Sequence, residues 1–242
     1  MEIIFVRHAQ TQMNVEKRAY DNFGKDEYYP LTDVGIKQAI TTGKYLKKYG
    51  KFDKIISSPR DRCIETANNI AKQINYKKDL QIDKRLLENT VGIFNGMNKD
   101  EMNKIFNSNK TYKKWKTTRD KLNDNIRKSK TEFEKYKYIM ELDKHYEKYN
   151  KMFKLTMDEY INKQQKSFLN YLKKQNYKRV LVVLHGGSIY RMYMNMVPNL
   201  MLEMFDIFDE SYKKEQNCVM FGAIYDGNKY IALTKLHTKQ FL

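Results

Sequence analysis

Cysteine is nearly missing from this 242-residue chain, which has only Cys63 and Cys218. Two cysteines without paired metal-ligand spacing exclude a disulfide scaffold and suit a reducing compartment. Long apolar runs are missing too: no stretch approaches the roughly 20 residues that span a bilayer. The chain enters a strand-like run at once, leaving no room for a secretory signal. A cytoplasmic protein with no membrane partner is therefore expected. Acidic residues are in deficit, with 29 Asp and Glu against 46 Lys and Arg, a formal charge of +17. Such a field attracts anions: phosphorylated metabolites, nucleic acid or an acidic membrane surface. The simpler reading of the surplus is compositional drift, because Lys, Asn, Ile and Tyr are all abundant. Internal repeats and linker-like composition are also absent, and the length suits one large α/β domain.

What is present is a short apolar run that ends in chemistry, three times over. Glu2-Ile3-Ile4-Phe5 leads into Val6-Arg7-His8-Ala9-Gln10-Thr11. Val180-Leu181-Val182-Val183-Leu184 ends in His185-Gly186-Gly187. Phe52-Asp53-Lys54-Ile55-Ile56 ends in Ser57-Ser58-Pro59-Arg60-Asp61-Arg62. Continuous β-branched runs of this length read as strands buried on both faces, the mark of a parallel sheet. Ligands in open α/β sheets sit just beyond the carboxyl ends of the strands. Each of these three ends carries groups suited to binding or attacking a phosphate. No carboxylate cluster for a divalent metal stands out at them, so no metal is expected.

With these segments in order, the chain resembles the histidine phosphatase superfamily, branch 1, also called phosphoglycerate mutase-like. The Arg-His-x-x-Thr start, Arg62-Cys63-Ile64-Glu65-Thr66-Ala67, Glu88 and His185-Gly186 fall at that family's spacing. The likeness covers residues 2–99 and about 157–237. It implies a three-layer α/β/α sandwich around a mostly parallel sheet. It also implies covalent catalysis, in which an imidazole takes the phosphoryl group and water removes it. His8 is then the nucleophile, kept neutral and in one tautomer by a hydrogen bond to its other ring nitrogen. Arg7 and Arg62 clamp the phosphate with guanidinium forks. His185 donates to the phosphoryl group beside His8, and Gly186 and Gly187 let backbone approach it closely. Glu88 is the general acid for the leaving oxygen. Asn14 holds the position of a phosphate contact in mutase-like members, and Asn217 that of a family Asn near the site. Thr11 orders the loop. Ala9 replaces a glycine common in the family, a mild departure.

Along the chain, residues 12–32 read as a loop over the site. Thr32 caps a helix over 33–48 with Ile36, Ala39, Ile40, Gly43 and Leu46 or Tyr45 inward, and Gly50 ends it. Ser58 caps the next helix, with Pro59 at its first position and Ile64, Ala67, Ile70 or Ala71, and Ile74 as the buried stripe. Arg62 then falls in the first turn, where the free N–H groups favour an anion. A short strand is expected at 79–83, and a helix from Met97 to about Asn107. Residues 103–154 carry 16 Lys and Arg against 7 Asp and Glu. Phe133, Tyr136, Met140, Tyr149, Phe153, Met157 and Tyr160 recur there at helical spacing, so a basic helical insertion, a cap over the site, is expected within the single domain 1–242. A helix at 156–175 precedes the strand at 179–184, and another runs from Gly187 to Asn195. An irregular linker over 199–216 leads to a strand pair turning at Asp226-Gly227-Asn228.

Within the family the segment from Glu88 to Lys99 has the spacing of the cofactor-dependent phosphoglycerate mutases, and Lys99 keeps that branch's basic substrate contact. An Arg and a Tyr that hold phosphoglycerate in that branch are replaced by Asn89 and Val91. Losing one charge-assisted contact of about 1.5–3 kcal/mol weakens such a ligand tenfold or more. The reading is therefore a metal-free phosphatase, with no cofactor, acting on a small phosphorylated metabolite. The alternative is a mutase primed by 2,3-bisphosphoglycerate. A third reading, an idle scaffold whose basic insertion binds nucleic acid, is disfavoured because no recognised motif supports it. A second copy of the chain is left open as a partner.

Overall fold

The computed structural model describes residues 1–19, 29–88, 92–153, 158–196 and 217–236. The chain divides into two compact units, one of residues 1–15, 25–88 and 161–242, the other of residues 16–24 and 89–160.

The first unit is built on a six-stranded sheet. Its strands are β1 (Glu2–Arg7), β2 (Lys54–Ser57), β3 (Gln81–Ile82), β4 (Arg179–Leu184), β5 (Met220–Tyr225) and β6 (Tyr230–Leu236). Their order across the sheet is β3-β2-β4-β1-β5-β6. The pairs β1–β4, β2–β4 and β2–β3 are parallel, and β5 and β6 add an antiparallel edge. β1 and β4 are neighbours in register, with Arg7 opposite Leu184. The residues that follow these strands, His8 and His185, therefore emerge side by side. β2 ends level with them, Ser57 opposite Val183. Because β5 runs the other way, its start lies beside the end of β1, which carries Asn217 to the same edge.

Alternation along β1 explains the layers. Ile3 and Phe5 pack with Phe168, Leu172, Ile189 and Met192 on one face. Ile4 and Val6 pack with Leu46, Cys63, Ala67 and Ile70 on the other. The first group belongs to α7 (Asp158–Lys173) and α8 (Gly186–Met196), the second to α2 (Asp33–Leu46) and α3 (Asp61–Gln73). The expected three-layer sandwich with a mostly parallel centre is the fold found.

Thr32 caps α2 by accepting from the Gly35 amide, and Gly50, at φ 87°, closes the turn that follows the helix. Several local expectations need correction. Residues 12–32 are not all loop, since Gln12–Val15 form the short helix α1. Ile36 is 37% exposed; Gly35 and Thr42 join Ala39, Gly43 and Leu46 on the buried face instead. In α3 the cap is Arg60, not Ser58, whose hydroxyl is engaged elsewhere. The buried stripe of α3 uses Cys63 and Thr66 with Ala67, Ile70 and Ala71, while Ile64 and Ile74 are only half-buried. Asp226 closes the β5–β6 turn by accepting from the Asn228 and Lys229 amides.

The second unit is helical, with α4 (Lys99–Ser108), α5 (Lys110–Lys128) and α6 (Glu132–Phe153). Residues 103–154 fall within it. A capping box joins Asn98 and Glu101 at the start of α4. Trp115 stacks with Phe106 and with His145, at ring separations of 5.4 and 5.7 Å, and Arg119 lies over its ring at 5.0 Å. The stripe expected on α6 is not what packs. Phe133 is 80% exposed and Tyr136 and Met140 are also exposed, while Ile139 and Leu142 turn inward. Met157, the linker over 199–216 and the side chains of Tyr149, Phe153 and Tyr160 lie outside the described residues. Among the described residues no helix is long and apolar enough to cross a membrane.

Candidate active site

The site lies where β1, β2, β4 and β5 meet at one sheet edge. The His8 and His185 rings have centroids 5.6 Å apart and are inclined by 63°. Both side chains are buried, His8 at 4% and His185 at 1% exposure.

His8 is fixed through Nδ1, which lies 2.8 Å from the Ala9 carbonyl oxygen. A carbonyl only accepts, so Nδ1 carries the proton and Nε2 keeps its lone pair. The Ala9 peptide is itself anchored: its N–H donates to Thr66 Oγ1 at 2.9 Å, and that hydroxyl donates to the Arg62 carbonyl. Helix α3 thus steadies, through Thr66, the residue whose carbonyl sets the tautomer of His8. Burial, followed by the charges of Arg62 and Arg7, holds the His8 pKa well below its usual value, partly opposed by the Ala9 hydrogen bond. His8 is neutral at pH 7, as nucleophilic attack requires.

His185 is held from both ends. Arg62 Nη2 lies 3.1 Å from its Nδ1, and Ser58 Oγ lies 2.9 Å from its Nε2. A guanidinium cannot accept, so Nδ1 is the acceptor and Nε2–H donates to Ser58. Burial first, and then the positive charge of Arg62, depress this pKa strongly as well. With both nitrogens engaged, the expected donation from His185 to a phosphoryl oxygen requires one of these bonds to be exchanged. Cys63 Sγ lies 3.6 and 3.9 Å from the two ring nitrogens, and burial pushes its thiol up to about 12.

Arg62 is 4% exposed in the first turn of α3, where its guanidinium can face an anion together with the helix N-terminus. Arg7 ends β1, and its charge reaches both imidazoles. The start of α8 completes the arrangement. A Cβ built on Gly186 would make only ordinary contact with Arg7 Nε, at 3.5 Å. A Cβ on Gly187 would stand 2.9 Å from Glu88 Oε1. Of the two glycines expected to permit close approach, Gly187 is therefore the one whose side chain would displace the Glu88 carboxylate. Glu88 Oε1 also accepts from Ser188 Oγ at 3.2 Å.

Asn14 and Asn217 meet. Asn14 Oδ1 accepts from the Thr11 amide and hydroxyl, at 3.0 and 3.1 Å, and from Asn217 Nδ2 at 3.2 Å. Asn217 Nδ2 also donates to the His8 carbonyl at 3.1 Å. Asn217, expected near the site, braces the backbone of His8, and Thr11 is bonded to Asn14 within the loop. Lys99 opens α4 in the second unit and is exposed. Asn89 and Val91 lie outside the described residues.

Three residues escaped the sequence reading: Ser58 and Thr66 as anchors of the two imidazoles, and Arg60, whose charge also acts on His185. Their small or flanking positions carry no periodic signal. Among the described residues no group of three or more His, Cys, Asp and Glu gathers to hold a metal.

Residues 3–149, more than half of the chain, match the family model described as the histidine phosphatase superfamily (branch 1). A 2,3-bisphosphoglycerate-dependent phosphoglycerate mutase of Pelagibacter ubique (strain HTCC1062) is 29% identical over 196 residues, 77% of this chain and 76% of that protein. The fructose-2,6-bisphosphatase TIGAR of Bos taurus is 37% identical over 93 residues, covering 38% of this chain and 33% of that one. The solved structure of a phosphoserine phosphatase from Entamoeba histolytica, in complex with 3-phosphoglyceric acid, superposes with a TM-score of 0.61 at 20% identity, over all of this chain and 99% of the other.

Proposed function

The chain belongs to the histidine phosphatase superfamily, branch 1, and from that premise we propose that it is a phosphomonoester phosphatase working through a phosphohistidine on His8. His8 Nε2 attacks phosphorus as the ester P–O bond breaks, and Glu88 gives a proton to the departing oxygen. Water then attacks the phosphohistidine, the N–P bond breaks, and the Glu88 carboxylate takes the water's proton. Arg7, Arg62 and the N-terminus of α8 stabilise charge on the transferring group. The barrier reduction needed is about 20 kcal/mol or more, and pre-placed cations beside a neutral imidazole, Arg62 buried and Arg7 half-buried, are suited to contribute to it.

The observation that carries this reading is the 5.6 Å pairing of His8 with His185, with His8 Nδ1 held by Ala9. The reading needs no metal and no cofactor, and its substrate is a small phosphorylated metabolite. Two free, buried cysteines suit a cytoplasmic setting. Incubation with p-nitrophenyl phosphate and a panel of phosphometabolites in EDTA tests it. Turnover in EDTA that His8→Ala abolishes is expected; turnover that survives His8→Ala, or that needs an added divalent ion, contradicts it.

A second reading, mutase activity primed by 2,3-bisphosphoglycerate, draws on the Pelagibacter relative. Asn89 and Val91, in place of the Arg and Tyr of that branch, weigh against it. Interconversion of 2- and 3-phosphoglycerate, stimulated by the bisphosphate, would establish it.

A further inference from the structure

We infer that Ser188 is the positioning residue of the general acid, fixing which oxygen of Glu88 carries the proton. This rests on the phosphatase reading above.

Ser188 lies in the first turn of α8 and is wholly buried. Its hydroxyl reaches across to the segment that carries Glu88, where its single proton is shared between two acceptors, the Leu87 carbonyl at 3.1 Å and Glu88 Oε1 at 3.2 Å. The backbone of Ser188 is held in turn. Its carbonyl accepts from Gln165 Nε2 at 3.2 Å, and Gln165 Oε1 accepts from Asn195 Nδ2 at 3.3 Å. Gln165 on α7 is also wholly buried. Buried polar chains of this kind fix a single geometry because every alternative strands a donor or acceptor.

Gly187 closes the other side. The space its Cβ would fill lies 2.9 Å from the same Oε1. Oε1 is thus held by the Ser188 hydroxyl and lies against the space that a Gly187 side chain would fill. A hydroxyl donates equally to a carboxylate oxygen and to the carbonyl oxygen of a carboxylic acid. While the Ser188 proton points at Oε1, that oxygen is an acceptor in both protonation states, which leaves Oε2 for the mobile proton. In the first half-reaction the Oε2 proton passes to the leaving oxygen as the P–O bond breaks and the His8 N–P bond forms. In the second, Oε2 receives a proton from the water whose oxygen bonds to phosphorus as the N–P bond breaks. The sum is ester plus water to alcohol plus inorganic phosphate.

Leaving groups discriminate this role from plain structure. An alkyl alcohol needs protonation to depart, whereas p-nitrophenolate does not. The quantity to measure is kcat/KM, which reports only the steps through the first phosphoryl transfer. With Ser188→Ala, kcat/KM for an alkyl phosphate is expected to fall 10- to 100-fold, and for p-nitrophenyl phosphate by less than threefold. Ser188→Thr, which keeps the hydroxyl, should recover most of the alkyl activity. Equal losses on both esters, or no loss on either, would overturn the assignment. Wild-type protein that turns over neither ester would instead sink the phosphatase reading. Crystal structures of wild type and Ser188→Ala then still decide the positioning role: a Glu88 carboxylate that moves supports it, and one that stays in place overturns it.

Discussion

Arg62 Nη2 donates to His185 Nδ1 at 3.1 Å, so the guanidinium proposed to bind phosphate also locks an imidazole tautomer. Its charge also depresses the pKa of both His8 and His185, after burial. Arg62→Gln removes the charge. Both imidazole pKa values should rise, seen in proton NMR titration of the ring C–H signals, and kcat/KM should fall by about 100-fold or more, as for loss of a buried electrostatic donor. Unmoved titrations would disconnect Arg62 from the pair.

Stability should weaken on the acid side. Each imidazole has a folded pKa well below its usual value near 6.5. As pH falls below about 6.5 the unfolded chain binds protons that the folded chain refuses, so stability drops until the folded pKa values are reached. The slope is roughly 1 kcal/mol per pH unit for each imidazole. Urea unfolding at pH 7.5, 6.5 and 5.5 measures it, and His8→Asn should flatten the fall by about half.

Thr66 is buried and joins the Ala9 amide to the Arg62 carbonyl. Thr66→Val keeps the shape and leaves the buried Ala9 N–H without its acceptor, at a cost of about 1–3 kcal/mol. Urea unfolding should show that loss. Activity should fall as well, because the Ala9 peptide that orients His8 is no longer anchored.

Much of this site was readable from the chain because three apolar runs each end in charged or imidazole groups. Strands β1, β2 and β4 are parallel neighbours, so such ends must converge. What was not readable depends on which side of an element a small polar residue faces. Ser58 looks like a helix cap by type, yet its hydroxyl bonds His185 and Arg60 takes the cap position. Asn217 reads as a residue near the site, but nothing in its spacing shows that its amide braces the His8 carbonyl. On α6 the aromatic residues have helical spacing, but the helix buries Ile139 and Leu142 and leaves Phe133 outside. Spacing identifies a stripe without saying which stripe is covered.

Gly187→Ala would place a methyl group 2.9 Å from the present position of Glu88 Oε1. The carboxylate sits at the end of a flexible side chain and should swing away, so folding is preserved. A displacement of about 1 Å at a proton donor can cost on the order of 100-fold. The alkyl phosphatase rate should fall by that order while the melting temperature changes little. Gly186→Ala, whose Cβ finds ordinary contact at 3.5 Å, should be milder.

Rapid-quench labelling most directly tests the claim that His8 Nε2 is the attacking atom. The enzyme is mixed with a radiolabelled phosphomonoester, quenched in alkali within milliseconds and digested for peptide mapping. Label is expected on the peptide holding His8, stable to base and lost in acid, and absent from His8→Ala. Full turnover with no label at His8, or with label on another residue, would contradict it.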